Sequence, residues 1–177
     1  MFGLFGQSSE KAAAKRLYET ALEAARQPTL FAAYGVPDTL EGRFEMLALH
    51  LAALLDRLGK AEDTARRLSK PLTERFVIDM DDAMRDFGVG DLSVPRKVKK
   101  AAAALYDRHK SYGAAIAAED PVSAWGAALR EQLAELAGND RVDKGLLAAY
   151  AARIAPQLGA SSDSDLAAGR VSFPAAA

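Results

Sequence analysis

Leu40-Glu41-Gly42-Arg43-Phe44-Glu45-Met46-Leu47-Ala48-Leu49-His50-Leu51-Ala52-Ala53-Leu54-Leu55-Asp56-Arg57-Leu58 is the stretch that decides the fold class. Phe44, Leu47, Leu51, Leu54, Leu55 and Leu58 recur at helical spacing and predict a helix with one buried face. Thr39, just ahead, is the expected N-cap, because its side-chain oxygen can accept an orphan backbone N–H. Gly59, just behind, is expected to end the helix by taking the left-handed conformation. The apolar run within it, Met46 to Leu55, is interrupted by His50. It falls well short of the roughly 20 residues that span a bilayer.

The same pattern continues on both sides. Upstream, a helix is predicted over 10–26, with Ala14, Leu17, Tyr18, Ala21 and Ala25 on one stripe and Pro28 as its stop. Downstream, a helical stretch over 62–87 contains Pro71, which either kinks it or opens a new segment after Ser69. Gly88-Val89-Gly90 breaks that stretch, and Pro95 opens a fourth helix running towards Ala118. Asp120-Pro121 opens a fifth, striped by Val122, Trp125, Leu129, Leu133 and Leu136. A sixth is predicted over 142–158, with Pro156 as a point that could shorten it. Alanine is abundant, β-branched residues are sparse, and no segment alternates as a strand would. The expectation is an all-α chain with a flexible terminus over 1–9, one compact domain of about six helices over 10–158, and a largely mobile Ser/Asp/Ala-rich tail over 159–177.

The 177 residues suit one domain, and they include no Cys. That excludes thiolate zinc sites, iron–sulfur clusters, cysteine nucleophiles and disulfides. Lys plus Arg total 23 against 24 for Asp plus Glu, so the net charge of −1 offers no global field for nucleic acid, and no DNA partner is expected. The opening Met1-Phe2-Gly3-Leu4-Phe5-Gly6 lacks the basic region and longer apolar region of a signal peptide. A cytoplasmic location follows as the expectation, with any membrane contact peripheral. Phe2, Leu4 and Phe5 are candidates for touching membrane or a partner; the competing reading is a frayed terminus.

Enzyme motifs are poorly represented. His50 and His109 are the only histidines and lack metalloprotease spacing. No nucleophile elbow is present, and Gly88 and Gly90 have neither the third glycine nor the preceding strand of a dinucleotide fingerprint. Asp81-Asp82-Ala83-Met84-Arg85-Asp86 is similar to the aspartate-rich magnesium–diphosphate motif of all-helical isoprenoid synthases, but Arg85 occupies a ligand place and no second acidic motif appears. No catalytic, cofactor or metal residue is assigned, and no enzyme activity or cofactor is expected. A magnesium-dependent or other small-molecule binder of prenyl-diphosphate type, or an RNA-contacting helical module, are the alternatives.

Two polar features stand out. Asp79 falls on the apolar stripe Leu72–Phe76–Ala83–Phe87, so its carboxylate needs a partner. Arg43, His50 and Lys97 are the candidates, and Asp38, Arg43, His50 and Asp79 form the expected structural polar network. The alternative role for Asp79 is direct contact with a partner. Arg96, Lys97, Lys99 and Lys100 place four cations in five residues at a helix N-terminus, where the dipole is already positive. Either they fold back on Asp79, Asp81, Asp82 and Asp86, or they form a basic patch for ribosomal RNA or anionic lipid.

Three stretches carry a family resemblance. They are Leu17-Tyr18 through Ala25-Arg26-Gln27-Pro28 to Phe31 and Tyr34; Gly35-Val36-Pro37-Asp38-Thr39-Leu40-Glu41-Gly42-Arg43-Phe44-Glu45-Met46-Leu47-Ala48-Leu49-His50; and Asp79-Met80-Asp81, Arg85, Gly88-Val89-Gly90-Asp91-Leu92, Val94-Pro95-Arg96-Lys97, Tyr106 and Arg108. Gly169-Arg170-Val171-Ser172-Phe173-Pro174 is a shorter echo. In these the chain resembles the ubiquinol–cytochrome c chaperone family; Pro71 and Asp107 depart from its pattern. The resemblance implies an α-helical assembly chaperone that binds nascent cytochrome b for the bc1 complex. It also implies peripheral contact with membrane or ribosome, at the inner face of a bacterial membrane or in a mitochondrial matrix. A transmembrane client needs an apolar groove, and methionine suits one because its stem repacks around varied shapes. Phe76, Val77, Met80, Met84, Phe87, Val89 and Leu92 are the candidate groove, with ordinary core packing as the competing role.

Overall fold

Burial of α3 (Leu40–Gly59) organises the molecule. In this computed structural model, which describes residues 2–177 with side chains from Ser8 onward, twelve residues of α3 are buried, from Gly42 to Leu58. Thr39 caps it, its side chain accepting from the Gly42 N–H at 3.1 Å. Gly59 keeps helical backbone and Lys60 takes the cap position, so the left-handed exit expected there does not occur.

Among the described residues there are nine α-helices, six of them of twelve residues or more. The long α1 (Phe2–Ala25) packs its Ala13, Leu17, Tyr18 and Ala21 stripe against α3 and α5 (Ser69–Asp86). The short α2 (Pro28–Ala32) turns the chain after Gln27. Between α3 and α5, the single turn α4 (Asp63–Arg66) is separated from α5 at Arg67–Leu68. Pro71 therefore sits in the first turn of a new helix, where its missing N–H costs nothing. Helix α6 (Val94–Ile116) lies along α3, and α7 (Pro121–Gln132) packs on α6. Asp120 caps α7 by accepting from Ser123 N at 3.2 Å. Trp125, Leu129, Leu133 and Leu136 of the predicted stripe are buried, whereas Val122 is exposed. A 3-10 turn, Asn139–Arg141, leads to α8 (Lys144–Gly159), which runs through Pro156 without shortening and packs between α3 and α7. Among the described residues no helix is long and apolar enough to cross a membrane.

The segment after Gly159, read from the sequence as a largely mobile tail, contains α9 (Asp163–Ala167), packed on α4. Asp163 accepts from Arg57 at 2.6 Å and from the Glu62 N–H at 2.7 Å, and Leu166 is fully buried. Polar composition concealed one apolar anchor and two specific carboxylate contacts. Residues 170–177 then run without regular structure across the body of the fold. The membrane or partner role considered for Phe2, Leu4 and Phe5 lies outside the described side chains.

Candidate functional site

The α5–α6 hairpin gathers the candidate groove residues, but not on one face. Phe76 and Met80 point into the core, with Phe76 tilted against Phe44 at 6.3 Å between ring centroids. Val77, Met84 and Val89 are partly buried against that core. Phe87 and Leu92 stand out in solvent, 59% and 101% exposed, and Ile78, which the sequence did not single out, is half exposed on the outer face of α5. The seven residues thus divide into an inner pair, a middle layer and an exposed tip.

The tip is closed by backbone and side-chain bonds. Gly88 takes φ +76°, allowing its N–H to reach Arg85 O at 2.9 Å and the Val89 N–H to reach Met84 O at 3.0 Å. This double closure satisfies the last carbonyls of α5. Arg85 then bridges helix and turn, donating to Asp81 at 2.7 Å and to Asp91 at 2.6 Å. The helix pair Asp81–Arg85 is thereby extended to the turn. It also occupies the first carboxylate of the acidic run. Among the described residues no group of three or more His, Asp or Glu side chains is placed to hold a metal ion.

Of the acidic residues at the end of α5, Arg85 meets Asp81. Arg96, Lys97, Lys99 and Lys100 are all exposed, and among the described residues none of them makes an ion pair. Their neighbours Val94 and Val98 face inward, so α6 presents a cationic outer face beside the apolar tip.

The four residues expected to share a polar network lie in three separate places. Asp38 and Arg43 pair with each other at the surface, at 2.6 Å and 3.2 Å. Asp79 turns towards α1: it accepts from the Tyr18 hydroxyl at 2.7 Å and lies 3.5 Å from Arg75, so none of Arg43, His50 or Lys97 serves it. Its position on the α1-facing side of α5 explains the choice. Burial, with the bond to Asp79, raises the Tyr18 phenol above its ordinary range. His50 is fully buried on α3, and its Nδ1 lies 2.7 Å from Met46 O while Nε2 lies 2.7 Å from the Tyr150 hydroxyl. A carbonyl can only accept, so Nδ1 carries the proton and Nε2 accepts from Tyr150. Burial lowers the His50 pKa to about 4.

Sequence reasoning passed over the buried pair Glu45–Arg108, in which the guanidinium meets both carboxylate oxygens at 3.1 Å and 2.6 Å. Burial holds the Glu45 carboxyl above its usual range, opposed by the bond from Arg108. The available signal was a glutamate inside an otherwise apolar run, which demands a cation. Beside this pair, Tyr112 and Trp125 stack at 4.8 Å with the Tyr112 hydroxyl and Trp125 Nε1 buried and without protein partners.

Comparison with known proteins matches this arrangement to one family. The family model described as ubiquinol-cytochrome C chaperone matches residues 32–173, from α2 to Phe173. A crystal structure of the Cbp3 homolog from Brucella abortus is similar at 32% identity and a TM-score of 0.79, over 96% of this chain and 93% of that one. No curated protein matches.

Proposed function

The chain belongs to the ubiquinol–cytochrome c chaperone family, which serves bc1 complex assembly, and on that premise we propose that it binds newly made cytochrome b at the α5–α6 hairpin. The single observation behind this reading is the exposure of Phe87 and Leu92 on a turn closed by the Gly88 backbone and by Arg85. Large apolar side chains kept in water at such a tip are a binding feature when they cluster, and the half-buried Val77, Met84 and Val89 extend the patch towards the core. A transmembrane segment laid there would shelter its lipid-facing surface without any bond being made or broken. The protein works by holding, and catalysis has no part in it. The adjacent cations Arg96, Lys97, Lys99 and Lys100 suit anionic headgroups at the membrane where such a client emerges.

The test is co-purification of cytochrome b with the full chain from cells assembling the bc1 complex. Phe87→Asp together with Leu92→Asp should abolish capture while the helical circular dichroism is unchanged, because both side chains already face water. Undiminished capture by that folded double variant rejects the hairpin as the site.

A further inference from the structure

Residues 170–173 are held by their side chains, Arg170 on Asp165, Ser172 on Gln157, and Val171 and Phe173 against the core, whereas residues 174–177 are held through their main chain. Ala176 N–H donates to Gln27 Oε1 at 2.7 Å, and the Gln27 amide nitrogen lies 3.2 Å from Pro174 O. Arg153 of α8 donates to Ala175 O at 3.0 Å, and the Tyr34 hydroxyl to Ala177 O at 2.8 Å. Every residue from Pro174 to Ala177 is therefore fixed through a backbone atom, by side chains from three different parts of the fold. The strap's own side chains contribute little there, being a proline and three alanines. Its one large side chain between Ser172 and Ala177 is Phe173, whose ring meets His50 edge-on at 5.3 Å. His50 and Tyr150 beneath are buried at 0% and 1% exposure, so an aromatic floor of Tyr34, Tyr150 and His50 lies under the strap.

Backbone-directed hydrogen bonds with one aromatic pocket are how proteins read an extended peptide with little regard to its sequence. We propose that the groove beneath residues 169–177 is a binding site for an extended apolar peptide with an aromatic anchor, presented by the client, and that the chain's own strap is the occupant such a peptide replaces. That the client is the source rests on the chaperone reading above; that the groove takes a peptide does not. The strap is tethered at Gly169, where φ is +74° and a Cβ would lie 2.7 Å from Ala13 O, and where Arg16 holds Ala168 O at 2.9 Å. So short a tether keeps the strap at an effective concentration on the order of millimolar, which an incoming peptide must overcome.

The probe is a fluorescent nonapeptide, Gly-Arg-Val-Ser-Phe-Pro-Ala-Ala-Ala, whose sequence is that of residues 169–177, titrated into the full chain and followed by anisotropy. Phe173→Ala in the protein should bind it at least tenfold more tightly than the unsubstituted chain, and replacing the probe's Phe by Ala should remove that gain. Ala176→Pro, which deletes the N–H given to Gln27 and leaves the aromatic floor intact, carries the test if Phe173→Ala loses helical signal. Neither variant binding better than the unsubstituted chain overturns the groove, as does a probe without Phe binding equally well. Peptides tiled through cytochrome b should displace the probe; failure of all of them overturns the client as source. Phe87→Asp with Leu92→Asp leaves probe binding intact, so failure at the hairpin and failure at the groove are read separately.

Discussion

Arg108 of α6 lays both arms of its guanidinium on Glu45 of α3, and its Nη2 also reaches Gln132 O at the end of α7, at 3.3 Å. One side chain thereby joins three helices in a region where both partners of the pair are largely shielded from water.

Arg108→Ala is expected to cost about 3 kcal/mol near neutral pH, read by urea unfolding, because it strands a buried carboxylate. Burial already raises the Glu45 carboxyl, and without Arg108 it rises further. A raised carboxyl takes up its proton in the folded state first, so the folded variant regains stability as pH falls from neutral into the ordinary carboxylate range. A loss equal at neutral pH and in that range would show that desolvation of Glu45 is not the cause.

Asp79→Ala removes the acceptor of the Tyr18 hydroxyl, and a buried unsatisfied donor costs about 1–3 kcal/mol. Arg75, the other partner, is 36% exposed and returns to water at little expense. The loss should therefore be about 1.5 kcal/mol, and Tyr18→Phe added to Asp79→Ala should recover part of it. Additive losses in the double mutant would contradict the hydrogen bond as the origin.

Acid should weaken the fold through His50. Its pKa falls from 6.5 to about 4 on folding, so between those values the unfolded chain binds the extra proton. Stability contributed by the neutral ring is complete above pH 6.5 and declines as pH drops towards 4, by about 3 kcal/mol in all. His50→Gln should flatten that part of the pH profile in thermal melts; a profile as steep as before would assign the acid sensitivity to other groups.

The cationic start of α6 should be mildly unfavourable to the fold. Changing Arg96, Lys97, Lys99 and Lys100 together to Gln is expected to leave stability equal or raise it by up to about 1 kcal/mol, since these charges oppose the helix dipole and lack acidic partners. A clear fall in melting temperature would instead mean that they neutralise the aspartates of α5. The same variant should lose salt-sensitive sedimentation with anionic vesicles.

Two glycines with positive φ should separate conformational strain from crowding. Gly88→Ala meets nothing within 4 Å and should cost only the left-handed backbone penalty, about 1 kcal/mol. Gly169→Ala adds a collision with Ala13 of α1 and should lose appreciably more, together with faster amide exchange over residues 170–177. Equal losses would show that α1 yields at no cost.

The sequence by itself determined the six long helices, the caps at Thr39 and Asp120, and the family. Those properties are local: the period of apolar residues, the oxygen of Thr39 or Asp120 at a helix start, and prolines such as Pro95 and Pro121 act within one or two turns. It also marked Asp79 and the α5–α6 segment as places of interest. Which atoms meet was decided only by tertiary structure. Asp79 faces Tyr18 and Arg75, not Arg43, because α1 and not α3 lies against that side of α5. Phe76 and Met80 became core while Phe87 and Leu92 became surface, because the chain turns at Gly88 and leaves the end of the stripe without a neighbouring helix. The strap over His50 was illegible for the same reason: alanines and a proline carry no periodic signal, and their hold comes from side chains more than a hundred residues away in Gln27 and Tyr34. Long-range pairing of this kind depends on the geometry of the whole packed body, which no local spacing encodes.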